Sequence, residues 1–301
     1  MAGSRHLLVL WSRIIGLLPL ILVLVLLQGC SAIKLAYNNA PEFAYWWLDG
    51  YADLDDAQSL RVREELARLL LWHRGKELLR VADLLQKTRL LAPADTTPEQ
   101  MCSLFAEMRK RIDAVIAQAE TPGVEVMMGL SAAQLAHIEA KFAKNNKEWQ
   151  NDWIAGGPAE RQARRLKSSV ERSEQFYGSL EERQSVLLRA SIQQSGFDPQ
   201  LSYAERLRRQ RDMLQTLRQS ISVPGGPRPT VAQATSAVRA LLERSIDSPT
   251  QAYRAYADRA ISDSCKSFAQ LHNSTTAEQR ERAVRRLAAY ERDARELAIK
   301  P

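Results

Sequence analysis

The chain has 301 residues, 45% of them hydrophobic, with 42 Lys and Arg against 35 Asp and Glu for a formal net charge of +7. Arg5 and Arg13 account for two of the positive charges, so residues 30–301 carry +5, a mild balance that a solvated mixed-charge surface explains and that leaves anionic lipid or acidic cell-wall polymer open as partners. A chain this long can bury a sizeable core or divide into two helical halves.

The first predicted element is a cleaved signal over residues 1–29. Arg5 and Arg13, with no acid beside them, precede an apolar run from Ile14 to Leu27, a basic n-region followed by an h-region. The run closes on Leu27-Gln28-Gly29-Cys30, which reads as a lipobox: Gly29 is the small residue before the cleavage, and Gln28 stands where Ala, Ser or Thr is commoner. Cys30 is therefore the expected lipid-bearing first residue of the mature protein. The alternative is an uncleaved signal anchor of roughly 20 residues. In either case the basic N-terminus stays inside and the remainder faces out of the cytoplasm, which argues against nucleic acid as a partner. Ser31, where sorted lipoproteins kept at the inner membrane would carry Asp, resembles the outer-membrane class and implies a periplasm-facing location there.

Residues 30–54 make an aromatic segment beside the lipid, with Tyr37, Asn38, Tyr45, Trp46, Trp47, Asp49 and Tyr51. Aromatic rings with polar tips suit a membrane interface or a recognition groove. The competing expectation is a first helix packed across a bundle, opened by Pro41, with Asp49 and Asp53 as hydrogen-bonding groups.

From residue 55 to 301 apolar residues recur at three and four, the period of a helix. Asp55 opens a long leucine-rich helix that ends before Pro93. Thr97-Pro98-Glu99-Gln100 combines a capping box with Pro at the first helical position, and Met101, Leu104, Phe105, Met108, Ile112 and Val115 follow as one stripe. Ser131 and Gln134 make a second box with Leu130 and Leu135 at the staple positions; Ile138, Phe142, Trp149 and Trp153 continue that face. The same pattern predicts starts at Ser179 to Glu182 and at Thr276 to Gln279. Breaks fall at Gly156-Gly157-Pro158, Gly196 to Pro199 and Val223 to Pro229, the last an exposed linker. The expected fold is an all-α bundle of about seven to nine helices after the signal, with a division into two halves near residue 156 left open. The capped starts are too unevenly spaced for a solenoid.

Leu35-Ala36-Tyr37-Asn38-Asn39-Ala40-Pro41, the run from Tyr45 to Leu54, Trp72-His73 and the closing Thr276-Ala277-Glu278-Gln279-Arg280 resemble an uncharacterised family of proteobacterial lipoproteins. That family carries no assigned activity, and the likeness covers most of the mature chain. Relatives can place a cysteine after the Trp-His pair, where this sequence has Arg74; the resemblance implies that Cys102 is a relocated disulfide partner. Leu130-Ser131-Ala132-Ala133-Gln134 and the Thr-x-x-Gln starts at Thr97 and Thr276 also resemble, more weakly, helical periplasmic chaperones and stress sensors with Leu-Thr-x-x-Gln motifs. The same motif is an ordinary helix cap.

With Cys30 taken by lipid, Cys102 and Cys265 remain, and an oxidising compartment predicts one bond between them, buried free thiols being the alternative. His73, His137 and His272 lack the spacing of a local zinc site, and neither metal nor cofactor is expected. No Gly-x-Ser-x-Gly elbow or phosphate loop occurs. Paired acids at Asp55-Asp56, Glu64-Glu65 and Glu181-Glu182 are what a glycan hydrolase would draw on, although helix N-termini account for acids as well. Arg206, Arg208, Arg209 and Arg211, opposed locally by Glu205 alone, suit lipid phosphates or an acidic partner; a solvated face is the plainer account. The expected function is a lipid-anchored, non-enzymatic binding or structural protein whose partner is an envelope protein, an anionic lipid or a cell-wall polymer. The alternatives are a cell-wall glycan hydrolase and a chaperone-like stress protein.

Overall fold

A computed structural model describes residues 32–221 and 229–299 of the chain. The predicted signal, Leu27-Gln28-Gly29, Cys30 and most of the linker at 223–229 lie outside the described residues. Among those residues there is no strand. In chain order the helices are α1 Ala32–Asn38, α2 Ala40–Ala52, α3 Asp56–Trp72, α4 Leu78–Leu91, α5 Pro98–Met128 and α6 Ala132–Trp153. They continue as α7 Pro158–Tyr177, α8 Glu182–Gln194, α9 Pro199–Ser220, α10 Val231–Ile246, α11 Gln251–Asn273 and α12 Ala277–Ile299. A π-helical turn, His73–Glu77, joins α3 to α4 in one rod, so that eleven helices stand among the described residues where about seven to nine were expected. The helix start expected at Pro41 is α2, with Asn39 as its N-cap and the short α1 before it. One break was not expected: Ser248-Pro249 stops the chain between α10 and α11, because proline lacks the N–H that a helix interior needs.

Helix starts follow local chemistry. Reciprocal capping boxes open α3, α5, α6 and α10 at Asp55, Thr97, Ser131 and Thr230, and Thr276 and Gln279 exchange the same bonds at α12. One predicted start is displaced: α8 is capped by Glu181 with Gln184, not by Ser179 with Glu182. Gly178, at φ 77°, ends α7, and the Gln184 amide oxygen accepts from the Glu181 N–H at 2.8 Å.

The box glutamines also meet one another in pairs. Gln134 Nε2 donates to Gln58 Oε1 at 2.6 Å and to the Asp53 carbonyl at 2.9 Å, while Gln58 Nε2 donates to the Gly129 carbonyl at 2.8 Å. Gln184 and Gln279 repeat the arrangement, at 2.7 and 3.0 Å between amides, with the Ser274 and Ser179 carbonyls as the outer acceptors. Each amide is thus satisfied on both sides, which is what permits Gln184 to be fully buried.

Apolar packing then assembles the helices. Val124, Met127, Leu135, Ile138, Leu214 and Leu217 form a core shared by α5, α6, α9 and α10. A second cluster, Leu78, Ala82, Ala294 and Leu297, lays α12 along α4. Cys102 on α5 and Cys265 on α11 are disulfide-bonded, with Cα atoms 5.4 Å apart, among Met101, Leu104 and Ala269. Helices on either side of Gly156 therefore pack on each other, α12 on α4 and α11 on α5.

Candidate functional site

The residues singled out from sequence do not converge on one site. Within the aromatic segment, Tyr45 is buried, its ring under the Arg63 guanidinium at 3.6 Å and its hydroxyl 3.1 Å from Ser59 Oγ. Asp49 accepts from the Leu54 N–H at 3.0 Å, Tyr51 accepts from Asn145 at 2.6 Å, and Asn38 accepts from Arg74 at 2.8 Å. Tyr37 bonds to His73 at 2.9 Å. Trp46 and Trp47 remain outside, 59% and 64% exposed, beside exposed Leu35 and Phe43.

The arginine cluster is an internal ion-pair network more than a free basic surface. Glu205 is buried and accepts from Arg208 at 2.9 Å and Arg209 at 2.8 Å, with Ser248 Oγ as a further donor at 2.9 Å. Burial alone would raise the Glu205 carboxyl, but the hydrogen bonds from Arg208, Arg209 and Ser248 outweigh it and hold the group below its ordinary value. Arg206 donates to Asn146 at 2.7 Å; Arg211 is exposed.

A cavity of about 660 Å³ that could hold a ligand lies between α4, α5, α7, α11 and α12. The helix period builds its walls. Val81, Leu84, Leu85, Thr88 and Leu91 recur at three and four along α4, opposite Leu104, Met108, Ile112 and Val115 from the stripe on α5. Leu287 of α12 and Phe268 of α11 close the sides. Met108, Ile112 and Phe268 are 55%, 51% and 41% exposed, so the apolar lining reaches solvent. No carboxylate is among the lining residues.

The few polar groups on the wall are already engaged. His272 Nε2 lies 2.9 Å from the Ala94 carbonyl and must carry the proton; Nδ1 then accepts from the Tyr177 hydroxyl at 2.9 Å. Burial pushes the His272 imidazole down and the Tyr177 phenol up to about 12, so both stay neutral near pH 7. Burial likewise lowers His73, against the opposing pull of Glu77. Arg111 lines the cavity and donates to Glu77 at 3.0 Å, and Arg80 donates to the same carboxylate at 2.5 Å. The π-turn carries this buried carboxylate and His73 at its two ends, a placement such turns often have at functional sites.

A second chamber, about 630 Å³, shares Phe105, Phe176, Tyr177 and Phe268 with the first and differs in chemistry. Arg165 and Arg172 of α7 and Arg259 of α11 line it with serines from α7, α8 and α11, together with Asp263. Arg165 donates to Ser195 Oγ at 2.8 Å, and its guanidinium sits 4.3 Å over the Phe197 ring. Sequence reading missed this chamber. The available signal was Ser169, Arg172 and Ser173 on a face of α7 that would otherwise carry apolar residues.

A model of a family of unknown function, DUF6279, matches residues 50–226. The chain belongs to this family. The DUF6279 match runs from the end of α2 through α9, so it takes in α4, α5 and α7 with Arg165 and Arg172, and stops before α11 and α12. No curated protein and no solved structure matches the chain. Among the described residues no group of three or more His, Cys, Asp or Glu side chains could hold a metal ion, and no helix is long and apolar enough to cross a membrane.

Proposed function

We propose that the chain is a lipid-anchored, periplasm-facing lipoprotein of the outer membrane that works as a non-enzymatic binding protein, holding an apolar chain in the cavity between α4, α5, α11 and α12. The observation that carries this reading is the wall itself: apolar side chains from five helices, open to solvent at Met108, Ile112 and Phe268, with Tyr177 and His272 bonded to each other. Sites of a few hundred cubic ångströms lined this way suit a small apolar ligand.

Two further features support the location. Exposed Leu35, Phe43, Trp46 and Trp47 lie close in sequence to Cys30, where an amphipathic aromatic face would settle into a lipid headgroup layer. The Cys102–Cys265 bond fits an oxidising compartment. A glycan hydrolase needs two carboxylates across a cleft; the apolar cavity offers none and the second chamber only Asp263, so the binding reading is preferred. The Ser/Thr-x-x-Gln motifs are engaged in caps and in glutamine pairs, which favours their structural over their chaperone interpretation.

The test is native mass spectrometry of the full chain, purified in a maltoside detergent and offered monopalmitoylglycerol. One saturable adduct, lost on Met108→Arg with Ile112→Arg, is the expected result; both positions are exposed, so the fold tolerates the change. Absence of an adduct, or an adduct indifferent to the double substitution, overturns the reading. The anchor is tested by intact mass and membrane partition in the native host against Cys30→Ser. Loss of signal mass and gain of acyl mass in the wild type alone is expected, and an unchanged full-length mass in both overturns it.

A further inference from the structure

We propose that the two chambers together bind a single amphiphile, its one acyl chain in the apolar cavity and an anionic phosphate head group in the serine-and-arginine chamber. This rests on the reading of the first cavity as a chain-binding site and adds the chemistry of the ligand's other end.

The chambers are neighbours across a shared aromatic wall: the first is almost wholly apolar, and the second adds arginines and serines to a wall that is still largely apolar. Phe105 and Phe268 meet edge to face at 6.0 Å in that wall, and Phe176 and Phe268 are partly exposed. A ligand uniformly polar would find no partner in the first chamber, and one uniformly apolar would leave the arginines of the second facing it without a counter-charge.

The charge argument decides the sign of the head group. Arg165, Arg172 and Arg259 face the second chamber against one carboxylate, Asp263. Elsewhere arginines on these helices pair with acids, as Arg164 does with Glu160 at 2.7 Å and Arg254 with Asp247 at 3.6 Å. Arg165 instead spends its hydrogen bonds on neutral acceptors, Ser195 Oγ and the Ile192 carbonyl. Its guanidinium is half-buried, and that burial pushes its pKa down against the opposing pull of Tyr256. A phosphate placed there would take forked hydrogen bonds from guanidinium groups and further ones from the Ser168 or Ser169 hydroxyls. Membrane phospholipid that has kept one acyl chain supplies this combination at the surface where the chain is proposed to sit.

The experiment compares three probes on the full chain in maltoside detergent by native mass spectrometry: 1-palmitoyl-lysophosphatidylglycerol, monopalmitoylglycerol and glycerol 3-phosphate. The first should bind about tenfold or more tightly than the second, the effect of one charge-assisted contact set, and the third should not bind measurably. In Arg172→Gln with Arg259→Gln, both exposed positions, the ratio between the two lipids should fall to about one. Equal binding of both lipids by the wild type overturns the head-group assignment and leaves the cavity reading standing. A preference that persists in the double variant, or glycerol 3-phosphate binding as tightly as the lipid, also overturns it. Binding of neither lipid removes both readings together.

Discussion

The two ends of α5 enter opposite kinds of interior. Near its C-terminus Val124 and Met127 sit in a filled apolar core with α6, α9 and α10, whereas Leu104, Met108 and Ile112 wall an open cavity. A filled core is held by contacts across it; a cavity forfeits those contacts, because its lining has no partner atoms on one side. The walls around the cavity are accordingly tied by bonds at its margins: the Cys102–Cys265 bridge, the Tyr177–His272–Ala94 chain, and Asn273, which exchanges two hydrogen bonds with Thr96 at 2.8 and 2.9 Å. Polar and covalent ties thus stand in for packing where the fold keeps a space open.

The disulfide should show the largest effect. It joins residues 163 apart, and the chain-entropy model gives such a closure about 5 kcal/mol at most. In Cys102→Ser with Cys265→Ser the melting temperature is expected to drop, and amide hydrogen exchange should accelerate first in α4 and α11. Equal acceleration in α6 and α9 would break the comparison. Next come two leucines buried to the same degree, Leu214 in the filled core and Leu287 on the cavity wall, both 7% exposed. Leu214→Ala creates a new void and should cost about 3–4 kcal/mol, while Leu287→Ala enlarges an existing one and should cost about 2 kcal/mol, read by denaturant titration. A reversed order would mean that the cavity is closed in solution.

Much of this fold was legible locally. Thr97 with Gln100 and Ser131 with Gln134 announce helix starts because a cap needs only residues three apart, and the structure places both boxes there. The cysteine pair was legible by elimination once Cys30 was assigned elsewhere. The stripe on α5 was legible as a stripe, but nothing within it distinguishes Leu104, which is buried, from Met108, which faces open space, since that depends on α4 and α11 far along the chain. The same limit explains the arginines. Glu205 was legible as the local counter-charge, but it is not alone: Asp212, four residues after Arg208, also accepts from it at 3.2 Å, while the Ser248 and Asn146 contacts join separate helices. The displaced cap at Glu181 was missed because glutamate is an uncommon N-cap, and only the Gln184–Gln279 pairing selects it.

That pairing supplies a third test. Gln184→Ala strands the Gln279 amide in a buried place and should cost about 1–3 kcal/mol. Gln184→Ala with Gln279→Ala should cost less than the two single changes added together, because the second loses a partner already gone. Strict additivity in a double-mutant cycle would mean the two amides are held independently.

Acid should separate the two interiors with the smallest perturbation. His73 and His272 line the cavity and burial lowers both from 6.5, while His137 on α6 is exposed. For a group whose folded pKa is depressed, the unfolded chain binds the proton first, so stability is full above pH 6.5 and is lost as pH falls below it towards the folded value. Glu205, Asp212 and Glu291 are also held below their ordinary values of 4.5, 3.8 and 4.5; burial raises Glu205 and Glu291 but their hydrogen bonds prevail, and the Arg244 hydrogen bond leads for Asp212. They add a loss of the same sign only in more acidic solution. Between pH 7.5 and 5.5 the melting temperature should therefore fall, with the rise in hydrogen exchange confined at first to α4, α11 and α12. His272→Gln keeps an acceptor for Tyr177 and a donor for Ala94 without a titrating ring, and should flatten that dependence. A melting temperature as steep in pH in this variant as in the wild type would move the sensitivity away from His272, and earlier opening of the α6 and α9 core would reverse the assignment of which interior is the weaker.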